Sequence, residues 1–239
     1  AKGLKPGDKV VLDQSSASAS PAWTGFRPLT VSAIREESSV IRSVTLRSDG
    51  APLPAWLPGQ SLALRLGAGT SVIRNYSLPN DPGAGEYRIG VKREEHGAGS
   101  GFIHRELKVG DTVDVAAPRG SFVLHDGDGP VLLISAGVGL TPVLSMLHAL
   151  ATSPRQREVW WLHGARSGAE RAFADQAAAL LNRLSGSHSR VLYSRPAARD
   201  PGDATGRLSG DGLRGVCLAP NAERYLSVRT CVMAPRTDA

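Results

Sequence analysis

Three short stretches of this sequence hold residues whose types and spacing suit nucleotide chemistry. In Val131-Leu-Leu-Ile-Ser-Ala-Gly-Val-Gly-Leu-Thr-Pro142, an apolar run ends in a glycine-rich turn, and a proline follows where a helix should begin. Gly137 and Gly139 are expected to take positive φ and to let a ligand approach the backbone. The helix behind them would offer unpaired N–H groups and the positive end of its dipole, a seat for pyrophosphate. The full G-x-G-x-x-G fingerprint is absent, because Pro142 stands at its last position. The second stretch is Arg74-Asn-Tyr-Ser77. On a regular strand Arg74 and Tyr76 share one face, with Asn75 and Ser77 on the other. Arginine grips phosphate with two N–H groups, tyrosine offers a flat face for a ring, and a serine hydroxyl donates to a ring nitrogen. The third, His96-Gly-Ala-Gly-Ser-Gly101, places glycines before a short helix, with Ser100 as its expected cap and phosphate donor. Singly, each stretch also fits a bland structure: a tight βα turn, an exposed strand, a serine-capped loop. His104 reads as a surface histidine.

The surrounding pattern supplies elements to position them. Short β-rich runs at 29–34, 41–46, 61–66, 74–78, 87–91, 112–116 and 121–124 are separated by turn residues, as in an antiparallel barrel or sandwich, with one helix at 100–107. The pattern changes at His125-Asp-Gly-Asp-Gly129. Beyond it come a strand at 131–135, a helix at 142–151, a strand at 158–163, a helix at 169–184 and a strand at 189–193. That order predicts a parallel sheet with crossover helices. The domains expected are therefore a stub and linker over 1–25, a β-barrel over 26–125 and an α/β domain over 129–239. A short strand is expected at 9–12, before the small-residue stretch at 14–21.

Composition bounds what these domains do. The chain has 239 residues, 41% of them hydrophobic and 21% charged, the profile of a globular protein. No apolar run reaches the roughly 18 residues of a membrane span, and no signal peptide is visible. Its two cysteines, Cys217 and Cys231, cannot complete a four-cysteine zinc or iron–sulfur site, and they favour a reduced, cytoplasmic setting. No metal site is expected. The net charge of +6 lies mostly after residue 128, where 13 arginines face 8 acids and lysine is absent. No cluster of five basic residues points to nucleic acid, and a small anionic ligand fits scattered arginines equally well.

The three stretches in this order, in a β domain followed by an α/β domain, resemble the ferredoxin–NADP reductase superfamily over about 27–226. Arg74, Tyr76 and Ser77 match its R-x-Y-[ST] flavin motif. Gly99 and Ser100 match its flavin phosphate loop, and Gly90-Val-Lys-Arg93 matches the strand before that loop, adding Lys92. Ala117-Pro-Arg-Gly-Ser-Phe122 resembles the segment closing the barrel. Gly137, Val138, Gly139, Leu140, Thr141 and Pro142 match its nucleotide turn. The resemblance implies a six-stranded antiparallel flavin barrel followed by a parallel-sheet nucleotide domain. It implies FAD in preference to FMN, and NADPH or NADH as the hydride donor. Single electrons would then pass to an iron–sulfur or other redox acceptor, such as a [2Fe–2S] protein or domain. Arg74 would pair with flavin phosphate and Tyr76 would pack on the ring. Asn75 belongs to the same strand, and Ser77 would hydrogen-bond beside the reacting atom as the catalytic residue. Ser194 and Arg195 stand where the family reads the 2′-phosphate of NADPH, and Arg166 is a second candidate; a planar guanidinium suits that dianion.

Two regions depart from the pattern. The family's Cys-Gly-Pro motif should follow Asn221-Ala-Glu-Arg-Tyr-Leu226, but Ser227-Val-Arg-Thr-Cys-Val-Met233 stands there. A one-base reading-frame slip would account for it, and Cys231 is a poor substitute. An impaired or non-catalytic flavin- and nucleotide-binding module is thus an alternative, as is a flavin reductase releasing its product. At the other end, Leu4-Lys-Pro-Gly-Asp-Lys-Val-Val-Leu12 resembles the last turn and strand of a MOSC-type molybdenum-cofactor domain, found fused to flavin reductase and ferredoxin domains. An ordinary hairpin fits it too.

Overall fold

The computed structural model describes residues 23–67, 71–200 and 202–208, together with the backbone of Cys231–Met233. The expected strand at 9–12, the MOSC-like stretch and residues 221–230 lie outside the described residues.

Six strands build the first unit: β1 (Phe26–Glu36), β2 (Ile41–Arg47), β3 (Ser61–Leu66), β4 (Val72–Ser77), β5 (Tyr87–Lys92) and β6 (Thr112–Ala116). They pair antiparallel in the order β4-β3-β6-β1-β2-β5, and β4 and β5 approach each other to leave a nearly closed barrel. A bulge between Val31 and Ala33 lets the long β1 bend so that it pairs with β6 along one half and β2 along the other. Alternation turns Leu62, Leu64 and Leu66 of β3, and Tyr87, Ile89 and Val91 of β5, into the barrel core. Tyr87 stacks on Trp23, meets Trp56 edge-on, and donates its hydroxyl to the Pro54 carbonyl at 3.0 Å.

The expected strand at 121–124 does not form. The chain turns at Gly120 (φ +122) and leaves the barrel. Phe122 and Leu124 then pack instead against the core of the second unit, with Leu124 N–H donating to Pro58 O at 3.0 Å. Gly59 permits this crossing. A Cβ there would sit 2.3 Å from Phe122 O and 2.6 Å from Met146 Cε.

The second unit alternates β7 (Val131–Ala136), α2 (Leu140–Thr152), β8 (Val159–Ala165), α3 (Ala174–Leu181), β9 (Ser187–Tyr193), β10 (Ala204–Thr205) and β11 (Cys231–Met233). All pairings are parallel, in the order β10-β9-β8-β7-β11. The sheet therefore grows one way from β7 and then returns to its other side. This places a topological switch at the carboxyl end of β7, the position at which open α/β sheets bind ligands. The single helix expected over 169–184 is broken. A 3-10 turn over Gly168–Glu170 is followed by Phe173 in the left-handed region (φ 55), the one non-glycine residue with positive φ among those described. Its ring is buried at the boundary with the barrel, so tertiary packing overrides helix periodicity.

Candidate functional site

The barrel contributes one half of the site. On β4 the side chains of Arg74 and Tyr76 share a face, and both converge on the start of α1 (Ala98–Arg105). A Cβ on Gly99 would lie 3.0 Å from Arg74 Cγ and 3.3 Å from Tyr76 Oη. Arg74 is exposed, and among the described residues its Nη1 bonds only to the adjacent Ile73 carbonyl, at 3.0 Å, so its fork stays available to an anion. Burial pushes the Tyr76 phenol up to about 12, against the lowering field of Arg74, so it remains a neutral O–H donor. Asn75 is exposed and Ser77 is half-buried further along β4. Lys92, on β5, is held by Glu94 Oε1 at 2.8 Å.

Two expectations about the α1 loop are corrected. Ser100 does not cap the helix: Gly97 is the N-cap, and among the described residues no side chain bonds there. Buried inside the first turn, Ser100 Oγ accepts from Glu94 N–H and donates to Gly97 O, both at 3.2 Å, which fixes the loop. His104 is no free surface residue, because its Nε2 bonds Val91 O at 2.9 Å and ties α1 to β5. The uncapped N–H groups of α1, the close approach at Gly99 and the free Arg74 fork together fit a phosphate-bearing cofactor.

The other half lies at the switch point. Gly137 takes φ +50, and among the described residues, its chain neighbours aside, no atom lies within 4 Å of where its Cβ would be. Gly139, expected at positive φ, is right-handed (φ −62, ψ −6); it begins α2 rather than turning the chain. Thr141 and Pro142 are buried in the first turn of α2, and Thr141 Oγ1 donates to Val138 O at 3.1 Å. At the neighbouring carboxyl ends of β8 and β9, Arg195 N–H donates to Arg166 O at 2.7 Å and Ser194 N–H donates to Ala165 O at 3.0 Å. Arg166, Ser194 and Arg195 are thus brought to one place, with Glu170 Oε1 3.8 Å from Arg166 Nη1.

The two halves touch through Gly90, a residue of the family-like strand whose role as the contact the sequence did not show. Gly90 on β5 lies against the nucleotide turn, and a Cβ there would come within 2.7 Å of Thr141 Cγ2 and 3.3 Å of Phe173 Cζ. Beneath the turn, also missed, Ser135 Oγ meets His163 Nδ1 at 2.9 Å across β7 and β8. His163 Nε2 is buried with no partner among the described residues, and burial pushes the ring down to about 4, with Arg171 adding to the shift. A lone histidine in an apolar strand does not announce that its ring will be buried and uncharged. Among the described residues no group of histidine, cysteine and acidic side chains could hold a metal, and no helix is long and apolar enough to cross a membrane.

Comparison with known proteins agrees with this geometry. The profile of the oxidoreductase FAD-binding domain matches residues 29–124, and that of the oxidoreductase NAD-binding domain matches 133–226. A flavohemoprotein from Deinococcus radiodurans is 41% identical over 211 residues, which is 85% of this chain and 52% of that protein. One from Pseudomonas aeruginosa is 42% identical over 205 residues, 83% and 51% respectively. The chain therefore spans about half the length of the curated relatives it matches. Among solved structures, the flavohem-like FAD/NAD-binding domain of nitric oxide dioxygenase from Vibrio cholerae superposes with a TM-score of 0.72 at 30% identity, covering 87% of this chain and 99% of that one. A ferredoxin reductase of carbazole 1,9a-dioxygenase shares the fold with a TM-score of 0.74 at 20% identity, covering 95% of this chain and 65% of that one. The chain belongs to the ferredoxin–NADP reductase superfamily, as an FAD- and NAD-binding oxidoreductase of the NAD(P)H-dependent flavoprotein reductase class.

Proposed function

We propose that this chain is the reductase module for a haem-bearing partner, and that NADPH is its preferred donor. The observation that carries the reductase reading is the continuity of the site: the Arg74–Gly99 cradle and the Gly137 turn are joined through the Gly90–Thr141 contact. A donor held at one can thus face a cofactor held at the other. The haem partner is inferred from the flavohemoproteins, whose other half this chain does not span. In this reading the barrel over 26–125 and the α/β unit over 129–239 are the two working domains.

FAD, when bound, accepts hydride and passes electrons on singly. The chain's own residues do the rest. Arg74 would bind the cofactor's phosphate with its exposed fork. Tyr76, kept neutral by burial, would pack on the ring system, and Ser77 would offer its hydroxyl to the ring edge. Ser100 would brace the same cradle, while Asn75, on the Ser77 face of β4, and Lys92 would be further contacts to the cofactor. Gly137 with the N–H groups of residues 138–141 would seat pyrophosphate, while Ser194, Arg195 and Arg166 would bind a 2′-phosphate.

Anaerobic mixing of the purified chain with each nucleotide tests the reading. A yellow protein bleached faster by NADPH than by NADH is expected, and Arg195→Ala should cut the NADPH/NADH ratio of kcat/KM about tenfold, the worth of one charge-assisted contact. An unchanged ratio removes the nucleotide assignment. Reoxidation by an added haem globin but not by a [2Fe–2S] ferredoxin is the expected acceptor result, and the reverse would overturn the haem reading.

A further inference from the structure

The seam between barrel and α/β unit carries a chain of polar groups that take no part in holding either nucleotide. Arg88 projects from the outer face of β5, two residues from Gly90. Its Nη2 donates to Glu37 Oε1 at 3.3 Å and to Gln176 Oε1, on α3, at 3.0 Å. Gln176 Nε2 in turn reaches His148 Nε2, on α2, at 2.6 Å. The Arg88 guanidinium lies 4.8 Å from the ring centroid of Phe173, whose left-handed backbone places that ring against Gly90. Nearby, Ser39 N–H donates to Ala169 O at 2.9 Å, a second link across the seam.

The polarity of this chain is fixed by chemistry. A guanidinium has only donors, so Gln176 must present Oε1 to it, and its amide N–H must then face His148. His148 can accept only when neutral, with its proton on Nδ1. A proton on Nε2 would set donor against donor, and turning the amide over would move the conflict to Arg88. The charged groups acting on His148 are Asp81, which favours the proton, and Arg88 and Arg183, which oppose it; burial is the largest influence and holds the ring below its ordinary pKa. Arg88 itself is held below its ordinary pKa chiefly by burial, with Arg35 adding to the shift and Glu37 and Glu86 opposing it.

We propose that the Arg88–Gln176–His148 relay is a positioning device: it holds the α/β unit at a fixed angle on the barrel, and it opens when His148 takes up a proton. Arg88 and Gly90 share one face of one strand, so slack at the relay reaches the Gly90–Thr141 contact that joins the two half-sites. An ångström of misplacement costs on the order of a hundredfold in rate. Slower hydride transfer as a consequence rests on the reductase reading above; the opening of the seam does not.

The test uses the full chain without flavin as well as with it. Amide exchange at Ser39, expressed as a protection factor, should fall about tenfold or more in Arg88→Met and Gln176→Leu, and in the unaltered chain as pH drops through the His148 titration. Gln176→Glu is the discriminating variant. Its carboxylate accepts from Arg88 and also from protonated His148, so its seam should tighten at low pH and its pH profile should run opposite to that of the unaltered chain. With flavin bound, the hydride-transfer rate should follow the same opposed profiles while flavin affinity stays constant. Parallel pH profiles for the unaltered chain and Gln176→Glu would overturn the relay. Should Arg88→Met fail to fold, the two Gln176 variants carry the test. A chain that no nucleotide bleaches would sink the reductase reading, and the exchange profiles would still decide whether the relay holds the seam.

Discussion

Acidification should destabilise this protein through His163 in a way that one substitution removes. In the fold its ring is pushed from the ordinary 6.5 to about 4, chiefly by burial among β-strand side chains. In the unfolded chain it returns to water and binds its proton near 6.5. The unfolded state therefore holds more protons between these values, and stability falls as pH falls through that window, then levels off below it. From the two pKa values, the loss relative to neutral pH is about 2 kcal/mol at pH 5 and about 3 kcal/mol at pH 4. His163→Asn keeps a polar atom in reach of Ser135 Oγ but cannot titrate, and the smaller side chain adds a cost that does not vary with pH. Urea unfolding of both proteins between pH 4.5 and 7.5 measures the difference. The gap between them should shrink by about 2 kcal/mol from pH 7 to pH 5. Curves that stay parallel across that range would show that His163 is not buried uncharged and would refute the reasoning.

Two further outcomes follow from the site. Arg74→Ala should weaken FAD binding by about 1.5–3 kcal/mol, a ten- to hundredfold rise in Kd by fluorescence titration, with little change in Tm because the side chain is exposed and bonds only its neighbour's carbonyl among the described residues. Gly90→Val places its Cβ 2.7 Å from Thr141 Cγ2 and must spread the seam. Expected are about 1–3 kcal/mol of destabilisation by urea and a slower bleaching rate, with FAD affinity kept.

The parts legible in the sequence were those written in local pattern. The β7–turn–α2 unit shows itself because an apolar run of strand length stops at glycine and a proline fixes the helix start. The barrel strands show themselves by alternation between turns. What was not legible depended on distant partners. The stretch 121–124 has strand composition, but its apolar residues cover the other core rather than pairing. The helix break at Phe173 has no local cause, since no glycine or proline marks it; the ring's burial against Gly90 and Arg88 imposes the backbone. The relay was invisible for the same reason: Arg88 and Gln176 are 88 positions apart, and Gln176 and His148 are 28 apart. The motifs name Arg74, Tyr76 and Gly99, which the fold brings together, whereas the contact between Gly90 and the nucleotide turn follows from no local pattern.

The apolar cluster of the α/β unit includes Ile41, and Val40, Phe122 and Leu124 pack against it, all supplied by chain that precedes β7. The six barrel strands end at Ala116, before the second unit begins, so in a chain that folds from its N-terminus the later unit would meet a surface already in place. Module exchange between reductases inherits this order. A graft cut at 125–129 would carry an incomplete core to its new host, and a working chimera must bring the β1–β2 turn and the 122–124 strap along with β7 onward.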